Sequence, residues 1–350
     1  MKTDLSTRRT IFLALFPEEA GYRLEQLNRA LFDVAIKDVA QVSTLSAVIR
    51  EKLTGQLPWS SLSPAKVLVS AKKDTYKTLL KTTDGYAIET VLMRNVKASW
   101  TICVSSQVGC AMACSFCATG TMGLKRSLSS DEIIDQYRFW QQFTTAEKLP
   151  GRISNIVFMG MGEPLVNYDA VKETIQLILK YTDIGPAKIT VSTVGILPQL
   201  QQLLNDPDWP HVRLAVSLHS AVAEIRKKIV PSSTPNFLQD LKAWTLAYGK
   251  KLGNRSHYLT FEYILLKGVN DSAEDAAALA KYARACGVKK INVIPYNTVA
   301  GKDFSQSEQT AITVFKQTVR TMGVDVTQRK NMGSDIAAAC GQLVTLGLTT

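Results

Sequence analysis

The chain has 350 residues, 46% of them hydrophobic, enough to bury one large core and a smaller one and too apolar for a disordered chain. Forty-one Lys and Arg against 30 Asp and Glu leave a net charge of +11, which points to an anionic partner, nucleic acid first. No stretch of about 18 apolar residues is available to span a bilayer, and the six cysteines are too few and too unevenly spread for a secreted disulfide framework. A soluble, cytoplasmic, monomeric protein without membrane contact is therefore expected.

Apolar residues at helical spacing (Leu24, Leu27, Leu31, Phe32, then Leu45, Val48, Ile49, Leu53) predict short amphipathic helices, and with them a small N-terminal helical domain over residues 1–62. Pro58 and the Ser-Pro punctuation at Ser63-Pro64 close this unit. Residues 63–98 read as a β-hairpin extension, with strands at Tyr76–Lys81 and Tyr86–Met93 around a Thr-Asp-Gly turn. A strand at Trp100–Val104 opens a third segment, 99–350. Further short apolar strands follow at Ile153–Phe158, Ile189–Ser192, Val212–Leu218, Tyr258–Leu265 and Ile291–Ile294, with a shorter candidate at Val324–Thr327. Helical patterns lie between them at Asp169–Lys180, Phe237–Tyr248 and Ala273–Cys286. This alternation predicts an α/β fold of parallel βαβ units. About six repeats suit a partial (β/α)6 TIM-like barrel; a doubly wound open sheet is the alternative. In either, functional residues gather at the C-terminal ends of the strands.

Cys110, Cys114 and Cys117 form a C-x3-C-x2-C motif in the loop after the Trp100–Val104 strand. Thiolates at this spacing converge on a compact metal centre. A closed zinc site needs a fourth ligand, and no nearby residue supplies one. Three thiolates suit a 4Fe-4S cluster with one open iron. Further polar groups sit at later strand ends. Gly160-Met-Gly-Glu-Pro164 brings Glu163, a carboxylate that could meet a cationic amino group, and glycines that let a ligand approach. Ser192, the Ser217-Leu218-His219 triplet and Asn297 follow on successive strands. Cys340, followed at once by Gly341, reads as a thiol at an exposed helix end. Cys286 reads as packing.

Cys103-Val-Ser-Ser-Gln-Val-Gly-Cys110, Phe116-Cys-Ala-Thr-Gly120, Gly160-Met-Gly-Glu-Pro164, Ser217-Leu-His219 and Asp335-Ile-Ala-Ala-Ala-Cys-Gly-Gln-Leu343 occur in this order. Together they resemble the RlmN/Cfr family of radical S-adenosylmethionine RNA methyltransferases. The resemblance implies that Cys110, Cys114 and Cys117 hold the cluster. It implies that Gly162, Glu163, Ser192, Ser217, Leu218, His219 and Asn297 contact S-adenosylmethionine, two molecules of which are used per turnover. Cys340 then matches the methylated carrier cysteine, Cys103 its resolving partner through a transient disulfide, and Glu89 a proton acceptor. The implied reaction is methylation of adenine C2 in 23S ribosomal RNA and transfer RNA, with electrons from a donor such as flavodoxin or ferredoxin. Pro164 after Glu163 favours this over the Cfr-type C8 reaction, where Ala tends to follow that Glu. A non-catalytic, zinc-binding RNA-binding protein is the reading from another class. The N-terminal helices and the pairs Lys227-Lys228, Lys250-Lys251 and Lys289-Lys290 are the candidate RNA contacts.

Overall fold

The computed structural model describes residues 7–252 and 259–345, and the elements below are those of the described residues. Three helices come first: α1 (Thr7–Leu15), α2 (Ala20–Leu31) and α3 (Ala47–Leu53). Their apolar faces meet in a core of their own around Phe12, Leu27, Val42, Leu45 and Leu53. Strands β1 (Leu62–Val69), β2 (Thr75–Thr82) and β3 (Ala87–Arg94) follow, then β4 (Trp100–Cys103), β5 (Gln107–Gly109) and β6 (Leu124–Ser127). The rest alternates: α4 (Ser130–Ala146), β7 (Ile153–Phe158), α5 (Tyr168–Tyr181), β8 (Ile189–Thr193), α6 (Leu197–Asn205), β9 (Arg213–Ser217), α7 (Ala223–Ile229), α8 (Phe237–Leu252), β10 (Leu259–Leu265), α9 (Ala273–Ala285), β11 (Lys290–Pro295), α10 (Gln309–Thr321) and β12 (Asp325–Gln328). Tyr258, expected to open a strand, lies outside the described residues.

Ten of the strands make one sheet in the order β1-β2-β3-β4-β7-β8-β9-β10-β11-β12. From β4 onward every pairing is parallel, so the helices between serve as crossovers. The strand at Val324–Thr327 is real and completes the parallel run as β12. The first four strands pair antiparallel. The hairpin is thus not an appendage: β3 pairs with β4, which makes it the antiparallel wing of the main sheet. β1 escapes a sequence reading because Pro64 looks like punctuation. It is an edge strand with a register shift between Pro64 and Lys66, where a proline costs no ladder bond.

The sheet does not close; β1 and β12 are its edges among the described residues. It is nevertheless curved. Residues at the ends of β7, β8, β9, β10 and β11 line a single cavity, whereas in a flat sheet the first and last of these strands would stand about 19 Å apart. The α/β fold is thus an open, partial barrel.

A buried charge network fastens the N-terminal helices to α4. Arg8 is 2% exposed and pairs with Asp131 at 3.2 Å and with Asp135. Asp135 also meets Arg138 and accepts from the Ser61 amide at 2.6 Å, while Arg138 donates to the Leu31 carbonyl at 2.8 Å. Burial works against the Asp135 carboxylate, but two guanidiniums and the Ser61 bonds outweigh it and hold its pKa down at about 2.

Candidate active site

The cysteine loop leaves β5 at the C-terminal edge of the parallel sheet. Ala113 holds a left-handed conformation, φ 52°, and the Cys117 amide donates to the Cys114 carbonyl at 3.1 Å. This tight coil brings all three thiols to one cavity of about 830 Å³. Two other elements brace it. The Ser115 amide and hydroxyl both donate to the Ile229 carbonyl at the end of α7, at 3.0 and 3.2 Å. The Ala118 amide donates to the Gly341 carbonyl at 2.8 Å, and the Thr119 hydroxyl to the Leu343 carbonyl at 2.6 Å.

The same cavity is lined by Gly162, Glu163, Ser192, Ser217, His219 and Cys340. Glu163 is 2% exposed. Its two oxygens accept from the Val194 and Leu165 amides at 2.8 and 3.1 Å. Desolvation pushes its pKa up to about 7 against these bonds, because no cation offsets the buried charge. The Ser192 and Ser217 hydroxyls lie 3.3 Å apart. His219 adopts φ 59°, stands edge-on to Phe116, and accepts from the Ile264 amide through Nδ1 at 3.1 Å. Burial, aided by the Arg226 charge, lowers its pKa to about 3. The ring is therefore neutral at any working pH, with its proton on Nε2.

The glycines have a different reason from the one expected. A Cβ on Gly162, which has φ 102°, would come within 2.6 Å of the Gln107 side chain, and one on Gly160 within 2.7 Å of the Val104 carbonyl oxygen. The connection from β4 to β5 packs directly on this turn, so packing inside the protein already forbids a side chain there. Leu218 is fully buried and is not among the cavity residues; its amide donates to the Glu262 carbonyl at 3.0 Å.

A second cavity of about 590 Å³ lies beside the first and is lined by Cys103, Asn297, Arg329 and Cys340. Cys340 is thus on the wall common to both. It does not end a helix as expected. It sits in an irregular segment between two left-handed residues, Ala337 at φ 50° and Gly341 at φ 84°. Asn297 Nδ2 donates to the Cys340 carbonyl at 3.3 Å, so Asn297 holds the Cys340 segment from the second cavity. Cys340 is exposed as expected, yet desolvation by the surrounding segment raises its thiol pKa, with the Arg329 charge opposing. Cys103 ends β4 and is buried; desolvation pushes its thiol up to about 12.

Glu89 lines neither cavity. It is buried, pairs with Lys77 at 2.8 Å, and accepts from the Val344 amide at 2.8 Å. Sequence reasoning also missed Glu262 and Arg329. Glu262 is 2% exposed on β10 and faces the first cavity; Arg329 meets it at 3.0 Å. A lone acid inside the apolar run Phe261–Leu265 was the available signal, since buried acids are rare unless paired.

Among the described residues no three His, Cys, Asp or Glu side chains gather about a single ion. The three thiols ring a cavity instead, a donor set that would hold a polynuclear iron–sulfur cluster. Desolvation pushes the Cys110 thiol up to about 12 and Cys114 further, so ligation must release protons. Glu163 completes the fit, because an anion without a cationic partner suits the amino group of S-adenosylmethionine.

Fold and site define a radical S-adenosylmethionine enzyme, and the family model of the Radical SAM superfamily matches residues 104–283. A crystal structure of a radical SAM methyltransferase from Sphaerobacter thermophilus is similar at 35% identity, with a TM-score of 0.84, covering 97% of this chain and 98% of that one. A probable dual-specificity RNA methyltransferase RlmN of Lysinibacillus sphaericus is 39% identical over 93% of this chain and 83% of its own length. The ribosomal RNA large subunit methyltransferase N of Nitrosopumilus maritimus is 38% identical over 93% and 92%. The chain belongs to the RlmN family of radical SAM RNA methyltransferases. No helix among the described residues is long and apolar enough to cross a membrane.

Proposed function

We propose that this protein methylates C2 of adenine in 23S ribosomal RNA and in transfer RNA, with Cys340 as methyl carrier and Cys103 as the thiol that releases the product. The observation that carries this reading is the placement of Cys340 on the wall between two cavities. One holds Cys110, Cys114, Cys117 and Glu163; the other holds Cys103. A single thiol thereby faces both a donor and a resolving partner.

When bound, the cluster and two S-adenosylmethionine molecules supply a methyl group and a hydrogen-abstracting radical. The chain's own residues do the rest. Glu163 takes the amino group of S-adenosylmethionine, Ser192, Ser217 and neutral His219 offer hydrogen bonds, and the Gly162 backbone sets the floor, with Leu218 supporting the turn from behind. Adenine C2 lies between two ring nitrogens and is too electron-poor to take a methyl by displacement. The Cys340 thiolate accepts it first, which divides one hard step into two. After the methyl carbon has bonded to the base, the Cys103 thiolate attacks the Cys340 sulfur. An S–S bond forms, the C–S bond breaks, and its electron pair stays on the carbon, which takes up a proton. Glu89, paired with Lys77, removes the C2 proton once the Val344 contact opens. A cytosolic reductant resets the disulfide, and a donor such as flavodoxin or ferredoxin feeds the cluster.

The target base leaves its stack to enter the barrel mouth. Residues 1–62 act as the RNA-binding accessory unit, 63–98 as its connection, and 99–350 as the catalytic unit, working as a monomer. Lys227 and Lys251 are engaged with the Ser233 and Leu204 carbonyls and Lys290 with Asp325 at 4.0 Å, which leaves Lys228, Lys250 and Lys289 as the freer cations of the three pairs.

The test is nuclease digestion of RNA after reaction, with the methylated adenosine mapped by mass fragmentation. The expected product is 2-methyladenosine, from ribosomal and transfer RNA substrates alike. An 8-methyladenosine product would assign the Cfr-type reaction instead. Colourless, anaerobically purified protein carrying stoichiometric zinc would contradict the radical reading altogether.

A further inference from the structure

Arg226, on α7, is a buried cation behind the cysteine loop. It is 1% exposed, and its guanidinium lies over the Phe237 ring, 3.5 Å from the centroid. Nη2 donates to the Val194 and Ser217 carbonyls at 2.6 and 3.3 Å, and Nη1 donates to the Ser233 hydroxyl. Nε has no acceptor. Desolvation lowers the guanidinium pKa to about 9, which still leaves it a cation at neutral pH. Its partners among the described residues are two carbonyls, a hydroxyl and a ring face, and no carboxylate pairs with it.

A buried charge without a counter-charge is costly to keep. Two carbonyls, a hydroxyl and a ring face offset part of that cost, yet none of them carries a negative charge. The missing anion comes from the cysteine loop. Metal ligation deprotonates Cys110, Cys114 and Cys117, and each electron the cluster accepts adds negative charge on the same side. Arg226 is also locked to that loop: three residues on, the Ile229 carbonyl takes both bonds from Ser115, next to Cys114. Arg226 is not among the residues lining the cavity, so it acts on the centre through space.

We infer that Arg226 is the built-in counter-charge of the cluster, a tuning residue that favours the reduced, more negative state and so holds the reduction potential up. The inference rests on the cluster-binding reading of Cys110, Cys114 and Cys117. Charges close to a cluster and its exposure to solvent are among the levers that set such potentials, and low dielectric around Arg226 leaves its field little screened.

The test is an anaerobic redox titration of the reconstituted full chain, followed by the electron paramagnetic resonance of the reduced cluster, in wild type, Arg226→Gln and Arg226→Lys. Arg226→Gln is expected to shift the midpoint to more negative potential, and Arg226→Lys to stay near wild type. The rise in thermal midpoint on cluster loading is expected to be smaller in Arg226→Gln, because the empty chain sheds an unbalanced charge and the loaded one loses an attraction. Loss of the cluster in Arg226→Gln alone, with Arg226→Lys behaving as wild type, supports the same role. An unchanged midpoint in Arg226→Gln, equal shifts in both variants, or failure of both to load overturns it, the last two by making Arg226 a packing residue. Wild-type protein that binds no iron–sulfur cluster sinks the underlying reading as well as this one.

Discussion

Cys340→Ala is expected to abolish RNA methylation to background while iron content and the visible absorbance of the reconstituted cluster stay at wild-type levels. The geometry separates the two outcomes. Cys340 lends the cysteine loop no side-chain contact on which its shape depends; the loop is braced by backbone carbonyls, those of Gly341 and Ile229, and by the Thr119 bond to Leu343. Alanine keeps the backbone that Asn297 and Ala118 hold. What it removes is the sulfur on the wall between the cavities. Without that sulfur no thiolate can accept the methyl group, and C2 is too poor a nucleophile to take it directly. The thiol is not intrinsically hot. Local desolvation raises its pKa although the residue is exposed, and Arg329 only opposes this, so methylation is expected to quicken as pH rises toward the thiol pKa and more Cys340 becomes thiolate. Paired assays of iron, absorbance and labelled-methyl transfer to RNA check the prediction.

Cys103→Ala is expected to trap the enzyme on its substrate as a covalent protein–RNA adduct. Cys103 closes β4 against β7 and shares the second cavity with Cys340. Its loss removes one buried sulfur, worth about 1 kcal/mol by the scale of small core truncations, which a sheet of this extent tolerates. Chemically the loss is complete, because nothing else lining that cavity is a thiol that can attack the Cys340 sulfur. The C–S bond then persists. Denaturing electrophoresis should show a slow-migrating species that nuclease treatment collapses and that is absent from Cys103→Ala/Cys340→Ala. Release of methylated RNA by Cys103→Ala at the wild-type rate would mean that Cys103 resolves nothing.

What the sequence disclosed, it disclosed through local chemistry. The cysteine loop is legible because its ligands sit within eight residues and their spacing is the geometry. Ser192, Ser217 and His219 are legible because a strand end fixes where the next residue points, whatever the rest of the fold does. Glu262 and Arg329 are different. Their meeting at 3.0 Å depends on the parallel register of β10, β11 and β12, which no local pattern reports. Cys340 shows the opposite error. Ile336-Ala-Ala-Ala339 reads as helix by propensity, but Lys77 donating to the Ala337 carbonyl at 3.1 Å and Ala118 to Gly341 pull the segment into a strap across the site. Tertiary bonds outweigh the few tenths of a kcal/mol per residue that propensity offers. The glycines at 160 and 162 were placed correctly and explained incompletely, because the chain they avoid arrives from β4, more than fifty residues earlier. Glu89 lies on a hairpin strand in the sequence, and Lys77 meets it across that hairpin; the C-terminal segment that covers it comes from elsewhere in the chain.

The central claim is that the methyl group travels through Cys340. Its most direct test is peptide mass spectrometry of the protein after incubation with S-adenosylmethionine carrying a deuterated methyl group, before RNA is added. The account predicts one labelled methyl group on the peptide containing Cys340, none on Cys103 or Cys286, and loss of that label as RNA becomes methylated. RNA methylation without any labelled intermediate on Cys340 would contradict it.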